Sequence, residues 1–154
     1  MRIVLIVIGK ARDAALAAAA LDYERRATHY WPVSVIEVRE EPARGRTSEQ
    51  VRTREGERIL AQVPPGATLV ACTEGGRTMS SLAFAKWMQS AREGGRDVAI
   101  AIGGAIGLGD NVAAAASMKL SLAPWTLPHE LARVVLAEQL YRAGTIVRGE
   151  PYHK

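Results

Sequence analysis

Four short stretches of this sequence hold residues whose types and spacing can do chemistry. Gly103-Gly-Ala-Ile-Gly107 follows an apolar run directly, and its paired glycines permit positive φ and let a ligand approach the backbone closely. This is not a dinucleotide fingerprint, because the Gly-x-Gly-x-x-Gly spacing is missing, nor a phosphate loop, because no Lys-Ser/Thr follows. Thr126-Leu-Pro-His-Glu130 reads as a helix start, with Thr126 as the cap and a proline tolerated in the first turn. His129 within it is either an ordinary first-turn histidine or a proton carrier. Glu138 and Arg142 stand four residues apart with the acid first, the favourable order for a helical ion pair. The tail sets Tyr152, His153 and Lys154 together after Pro151, in a region where chain ends are usually chemically dull. Cys72 reads as a packing residue at a strand end rather than a nucleophile.

Those stretches need elements to position them. Arg2 to Ile8 is a continuous β-branched run, the pattern of a strand buried on both faces. Asp13 to Thr28 is Ala/Leu-rich and reads as a helix, and Val33 to Val38 as a second strand. Thr47 with Gln50 matches a capping box, so a helix should run to about Gln62. A third strand covers Thr68 to Cys72, with Glu74 to Arg77 as a loop, and Ser80 or Ser81 caps a helix to about Arg92. Val98 to Ile102 makes a fourth strand, Asn111 to Met118 a short helix and Leu120 to Leu122 a brief strand. The last helix should span Pro128 to Ala143. Strands alternating with helices imply one α/β domain over residues 1–154, with a mainly parallel sheet covered on both faces. In such sheets ligands sit beyond the carboxyl ends of the strands, which brings Cys72 to Arg77, Gly103 to Gly107 and Pro124 to His129 together.

Composition narrows the function further. The apolar run Ile3 to Ile8 is too short to cross a bilayer and lacks a small-residue cleavage pattern behind it. A single cysteine forms no intramolecular disulfide, and no Cys/His cluster has metal-ligand spacing, so a cytoplasmic protein without a metal is expected. The formal net charge of +4 is compatible with a polyanionic partner. With aromatic residues at only 5%, base-stacking platforms of the single-strand-binding kind are disfavoured. Arg39, Arg44 and Arg46, with Lys10 and Arg77, form either phosphate contacts or a solvated charged surface.

Read in order, Gly94-Gly-Arg-Asp97, Ile102-Gly-Gly104, Thr126-x-x-His129-x-Leu-x-Arg133, Glu138-Gln-x-Tyr-Arg-Ala143 and Pro151-Tyr-His-Lys154 resemble the RlmH family over nearly the whole chain. Its members are SPOUT-class methyltransferases that methylate N3 of a pseudouridine in 23S ribosomal RNA. The resemblance implies a SPOUT-type α/β knot with a C-terminal trefoil, a homodimer, S-adenosyl-L-methionine held in the knot, and an assembled ribosome as target. It implies cofactor contacts at Cys72 and Thr73, at Gly103 and Gly104, and along Pro124, Trp125, Thr126, Leu127, Pro128 and His129. His129, Arg142, Tyr152 and His153 would lie near the substrate pocket, with the tail reaching toward the other subunit's site.

The sequence departs from the family pattern where Cys72-Thr73 replaces the usual Leu-Asp, at Ala105-Ile106 in the glycine loop, and at Ala123-Pro124-Trp125. In the implied reaction the cofactor brings its own activated methyl group, so the protein must align the acceptor nitrogen and manage one proton. His129 or Tyr152 would take that proton, and Arg142 or His153 would stabilise the anion left behind. Two other functions fit the same residues: a non-catalytic RNA- or ribosome-binding module, and a SPOUT methyltransferase acting on another RNA.

Overall fold

The computed structural model describes residues 1–154. Five strands and five helices follow one another as β1 (Ile3–Ile8), α1 (Ala14–Ala27), β2 (Val33–Val38), α2 (Ser48–Leu60), β3 (Thr68–Thr78), α3 (Ser81–Glu93), β4 (Val98–Ile102), α4 (Asp110–Ala115), β5 (Met118–Ser121) and α5 (His129–Val147). The strands form a single sheet in the order β2-β1-β4-β3-β5, and every pairing is parallel. β1 and β4 lie inside it and are buried at every position, which is why their sequences are unbroken apolar runs rather than alternations.

The two-residue period of a strand divides these runs between two cores. Ile3, Leu5, Val7, Val98 and Ile100 face one side, against Phe84 and Met88 of α3 and Leu136 and Leu140 of α5. Val4, Ile6, Ile8, Ala99 and Ala101 face the other, against Ile59 of α2 and Val112 of α4. On the first face Trp31 is buried, and its indole N–H donates to the Leu140 carbonyl at 2.9 Å. That bond satisfies a polar atom that burial would otherwise leave stranded.

Helix starts follow the side chains that can cap them. Asp13 accepts from Leu16 N, Thr47 and Gln50 close a capping box, and Ser80 accepts from Ala83 N. α4, which follows Gly109, and α5 have no such cap. The N-cap of α5 is Pro128, so Thr126 does not cap it. Glu130 in its first turn instead accepts the backbone N–H groups of Arg12 and Asp13, each at 3.0 Å. A carboxylate on α5 thus serves the entry to α1 and ties the two helices together at the sheet's C-terminal edge.

Other boundaries also differ from the sequence expectation. Glu74 to Arg77 is part of β3, not a free loop. The ladder to β5 is interrupted, since Cys72 and Arg77 both pair with Leu120 and the residues between them bulge out. Gly76 makes this possible: a Cβ there would lie 2.6 Å from the Leu120 carbonyl carbon. α5 continues past Ala143 to Val147, with Gly144 inside it rather than ending it. Thr145 is buried there and its hydroxyl donates to the Arg142 carbonyl.

Candidate active site

The three loops expected at the carboxyl ends of the strands do converge. They enclose a cavity of about 300 Å³ beside β3, β4 and β5. The end of β3 contributes Cys72, Thr73 and Glu74, and the glycine loop contributes Gly103, Gly104, Gly107 and Leu108. Ser121, Leu122 and Ala123 lie at the end of β5, followed by Trp125, Leu127 and His129 on the approach to α5. Backbone edges and aliphatic side chains therefore form most of the wall, with few polar side chains, the usual character of a site for a small organic cofactor. Pro124, Thr126 and Pro128 belong to the same segment but do not line the cavity. Leu108, Ser121 and Leu122 also line it and lie outside the loops expected from the sequence. Leu108 follows the glycine loop, Ser121 closes β5, which begins two residues earlier than its apolar pattern suggests, and Leu122 lies just beyond it.

The glycine loop works through space rather than backbone handedness. Neither Gly103 nor Gly104 has a positive φ, whereas Gly107 has φ +84° and turns the chain. Gly104 and Gly107 form an isolated antiparallel bridge. Closing that small loop brings Gly107 against Gly103 so tightly that a Cβ on Gly103 would stand 2.4 Å from the Gly107 carbonyl carbon. Any side chain at that position would push the loop open.

Cys72 lies in the cavity wall, and burial pushes its thiol up to about 12. It stays a protonated, unreactive packing group at neutral pH. His129 is more exposed; it lines this cavity and also a broader cleft formed by the ends of β1 and β2 with Ala105 and Ile106. Its Nε2 lies 4.0 Å from Glu130 Oε1. Because Glu130 is itself fixed by two backbone donors, which hold its carboxyl below the ordinary range, His129 stands on a rigid base.

Arg142, Tyr152 and His153 form a second cluster. The tail folds back on α5 so that Arg142 Nε and Tyr152 Oη both donate to Glu138 Oε1, at 2.9 and 3.1 Å. Arg142 Nη1 lies 3.3 Å from His153 Nδ1, and the guanidinium sits 4.7 Å from the Tyr152 ring centre. Tyr141 packs edge-on against Tyr152 at 4.6 Å. Burial, together with hydrogen bonds to Tyr23 and Glu138, holds the Tyr152 phenol far above its ordinary range. Tyr152 is thereby a hydrogen-bond donor here rather than a base. The Glu138–Arg142 pair, legible as an i,i+4 ion pair, is the hub of this arrangement, while Tyr23 and Tyr141 gave no sequence signal that set them apart from core residues.

The two clusters do not meet within one chain. His129 opens α5 and Arg142 follows thirteen residues later, which at the helical rise is about 20 Å along the axis. The structure thus brings three of the four expected catalytic residues together and leaves His129 with the cavity. No helix is long and apolar enough to cross a membrane, and no group of three or more His, Cys, Asp or Glu residues is placed to hold a metal ion.

Comparison with known proteins supplies the remaining evidence. A family model described as "Predicted SPOUT methyltransferase" matches residues 1–153. The chain is 61% identical to the Ribosomal RNA large subunit methyltransferase H of Gemmatimonas aurantiaca, covering 100% of both sequences. It is 42% identical to the protein of the same name from Syntrophotalea carbinolica, covering 99% of each. Its fold also resembles a solved structure described as "a probable methylase family protein from Haemophilus influenzae Rd KW20", with a TM-score of 0.56 at 16% identity over 99% of this chain and 70% of that one. A match that runs from end to end, on a parallel sheet whose carboxyl-end loops close around one cavity, places this chain among the SPOUT methyltransferases, in the ribosomal RNA large subunit methyltransferase H family.

Proposed function

We propose that this protein transfers a methyl group from S-adenosyl-L-methionine to N3 of a pseudouridine in 23S ribosomal RNA, acting as a cytoplasmic homodimer on the assembled ribosome. The observation that carries this reading is the convergence of the three loops on one cavity with His129 at its rim, in a chain related end to end to large-subunit rRNA methyltransferases. The cavity fits the cofactor. Its aliphatic residues Ile102, Leu108, Leu122 and Leu127 suit a nucleoside, and the bare Gly103 lets the loop that walls the cavity close tightly on itself. When bound, the cofactor supplies an activated methyl group on a sulfonium. A C-terminal trefoil knot would give these loops their closed arrangement.

The protein's own residues then have two tasks. One is to take the imide proton, whose departure frees the N3 lone pair; His129 does this, since Tyr152 is held protonated by its surroundings. The other is to stabilise the anion spread over the flanking carbonyl oxygens. Arg142 is a permanent cation suited to it, with His153 beside it, but it lies about 20 Å down α5 from His129 of the same chain. A two-fold dimer that lays one protomer's tail cluster over its partner's cavity closes that gap. No metal is needed at any of these steps.

The test is methyl transfer from labelled S-adenosyl-L-methionine to ribosomes from cells lacking the modification, followed by mapping of the labelled nucleotide. Label at N3 of a 23S pseudouridine is the expected result. Cofactor binding without label on the ribosome would point to another RNA, and absence of both would make the protein a non-catalytic binding module.

A further inference from the structure

Beyond the end of β2, three guanidinium groups converge on one carboxylate. The Glu41 side chain is only 4% exposed, and its Oε1 lies 3.1 Å from Arg46 Nε and 3.8 Å from Arg54 Nη1. Its Oε2 accepts from Arg58 Nη2. The carboxylate is itself fixed, because the Glu41 backbone N–H donates to Glu55 Oε1 at 3.0 Å. Arg46 and Arg58 are held a second time, by the carbonyls of Pro42 and Arg39 at 3.0 and 2.9 Å. The guanidiniums keep the Glu41 carboxyl below its ordinary range, Arg58 first.

Even with the neighbouring Glu55 counted as ionised, three guanidiniums outnumber the carboxylates of the cluster and leave a surplus of positive charge. Stability is a poor explanation for it. A buried carboxylate needs a paired cation, but Arg58 already supplies one, and holding two further long side chains in place costs rotamer entropy. Each guanidinium carries five N–H donors in a fixed fork, and the pairing with Glu41 uses only part of each. The arginine side chains remain 31%, 56% and 34% exposed for Arg46, Arg54 and Arg58. Partly exposed forks with spare donors, two of them fixed by hydrogen bonds to backbone carbonyls, match the oxygens of a phosphodiester. The position fits as well: Glu41, the carboxylate that all three arginines meet, lines the broad cleft that His129 also lines, while the arginines themselves stand outside that lining.

We propose that Glu41 gathers Arg46, Arg54 and Arg58 into a preformed clamp for the phosphates of the RNA strand that flanks the target nucleotide. The proposal rests on the rRNA methyltransferase reading and adds to it the path of the bound strand. Glu41 is the positioning residue, and the arginines make the contact.

The experiment measures binding of large ribosomal subunits lacking the modification by sedimentation, at about 50 to 300 mM KCl, with methylation followed in the same samples. Wild-type protein is compared with Arg46→Gln, Arg54→Gln and Glu41→Gln. Each arginine replacement should weaken binding and reduce the slope of log affinity against log salt by about 0.7 to 0.9, the loss of one phosphate contact. Glu41→Gln carries more positive charge than the wild type, so charge alone predicts tighter binding and a steeper slope. The clamp predicts the reverse, weaker binding and a shallower slope, because the forks are no longer held. Cofactor affinity serves as the check that each variant is folded; if Glu41→Gln loses it, the two arginine variants decide. Unchanged slopes in those variants, or tighter binding by folded Glu41→Gln, overturn the clamp while leaving the enzymatic reading intact. Failure of the wild type to methylate overturns the enzymatic reading, and the slopes still test the clamp.

Discussion

Replacing Gly103 with alanine tests whether the cavity depends on a backbone contact that only glycine allows. A Cβ on Gly103 would lie 2.4 Å from the Gly107 carbonyl carbon and 2.5 Å from Leu108 N, against about 3.4 Å for ordinary contact. Both neighbours are backbone atoms, so no rotamer change relieves the clash, and the Gly107–Leu108 segment must move by about 1 Å. Overpacking of this kind destabilises by about 1–3 kcal/mol. Gly107 and Leu108 also line the cavity, so the same displacement should weaken cofactor binding by about 10- to 100-fold, equivalent to 1.4–2.8 kcal/mol. Gly104→Ala is the matched control. Its Cβ would meet Ile8 Cγ2 at 3.1 Å and Glu55 Oε2 at 3.3 Å, both side-chain atoms that need give only a few tenths of an ångström. Its cofactor affinity should stay within about threefold of the wild type. Calorimetric titration with S-adenosyl-L-methionine and urea unfolding of the three proteins give both quantities. Equal affinity for Gly103→Ala and the wild type, or equal damage from the two alanines, would refute the packing argument.

Further outcomes follow from the same geometry. Cys72, with its thiol pushed up to about 12 by burial, should resist iodoacetamide at pH 8 in the folded protein and react once it is unfolded; rapid labelling of native protein would show the thiol to be accessible. His129→Ala and Arg142→Ala should each abolish most turnover, yet coexpressed together they should recover about a quarter of the wild-type sites, because half the dimers are mixed and each mixed dimer has one intact pair. No recovery would mean that both residues act from the same chain. Glu130 is held below its ordinary range by the backbone N–H groups of Arg12 and Asp13, so its contribution to stability is full above the unfolded carboxylate value of about 4.3 and is lost as pH falls through the lower folded value. Glu130→Gln should therefore lessen the loss of stability between about pH 5 and pH 3 in thermal unfolding scans; an unchanged acid limb would remove Glu130 from that role.

The sheet was readable in the sequence because parallel strands buried on both faces must be apolar throughout, and β1 and β4 are. The helix starts at Asp13, Thr47 and Ser80 were readable because a capping side chain acts within three residues of its own position. Misreadings arose where distant contacts override local preference. Thr126 has the chemistry of a cap, yet α5 begins at His129 because Glu130 is drawn toward the entry to α1. Gly144 looks like a helix end, but Tyr30 packs where its side chain would be, and the helix continues. The loop expected at Glu74 is pulled into β3 by a ladder that resumes at Arg77.

The site divides along the same line. Its loops could be located from strand ends alone, because the rule that ligands bind beyond the carboxyl edge needs only the order of elements. Its second half could not, because what counts there is a distance. Spacing shows that Glu138 and Arg142 share a helix face, but a folded chain is needed to show Tyr152 and His153 curling back onto that face. Once they do, the helix holding Arg142 also fixes how far it stands from His129, about 20 Å. α5 packs against α1, α3 and Trp31 through a fully buried stripe, so it cannot bend to shorten that gap without opening the core. If His129 takes the proton and Arg142 stabilises the anion, as proposed, the two serve a single reaction when a second copy brings its own end of α5 to the first. The proposed dimer, first implied by family resemblance, is supported by the distance between those two groups.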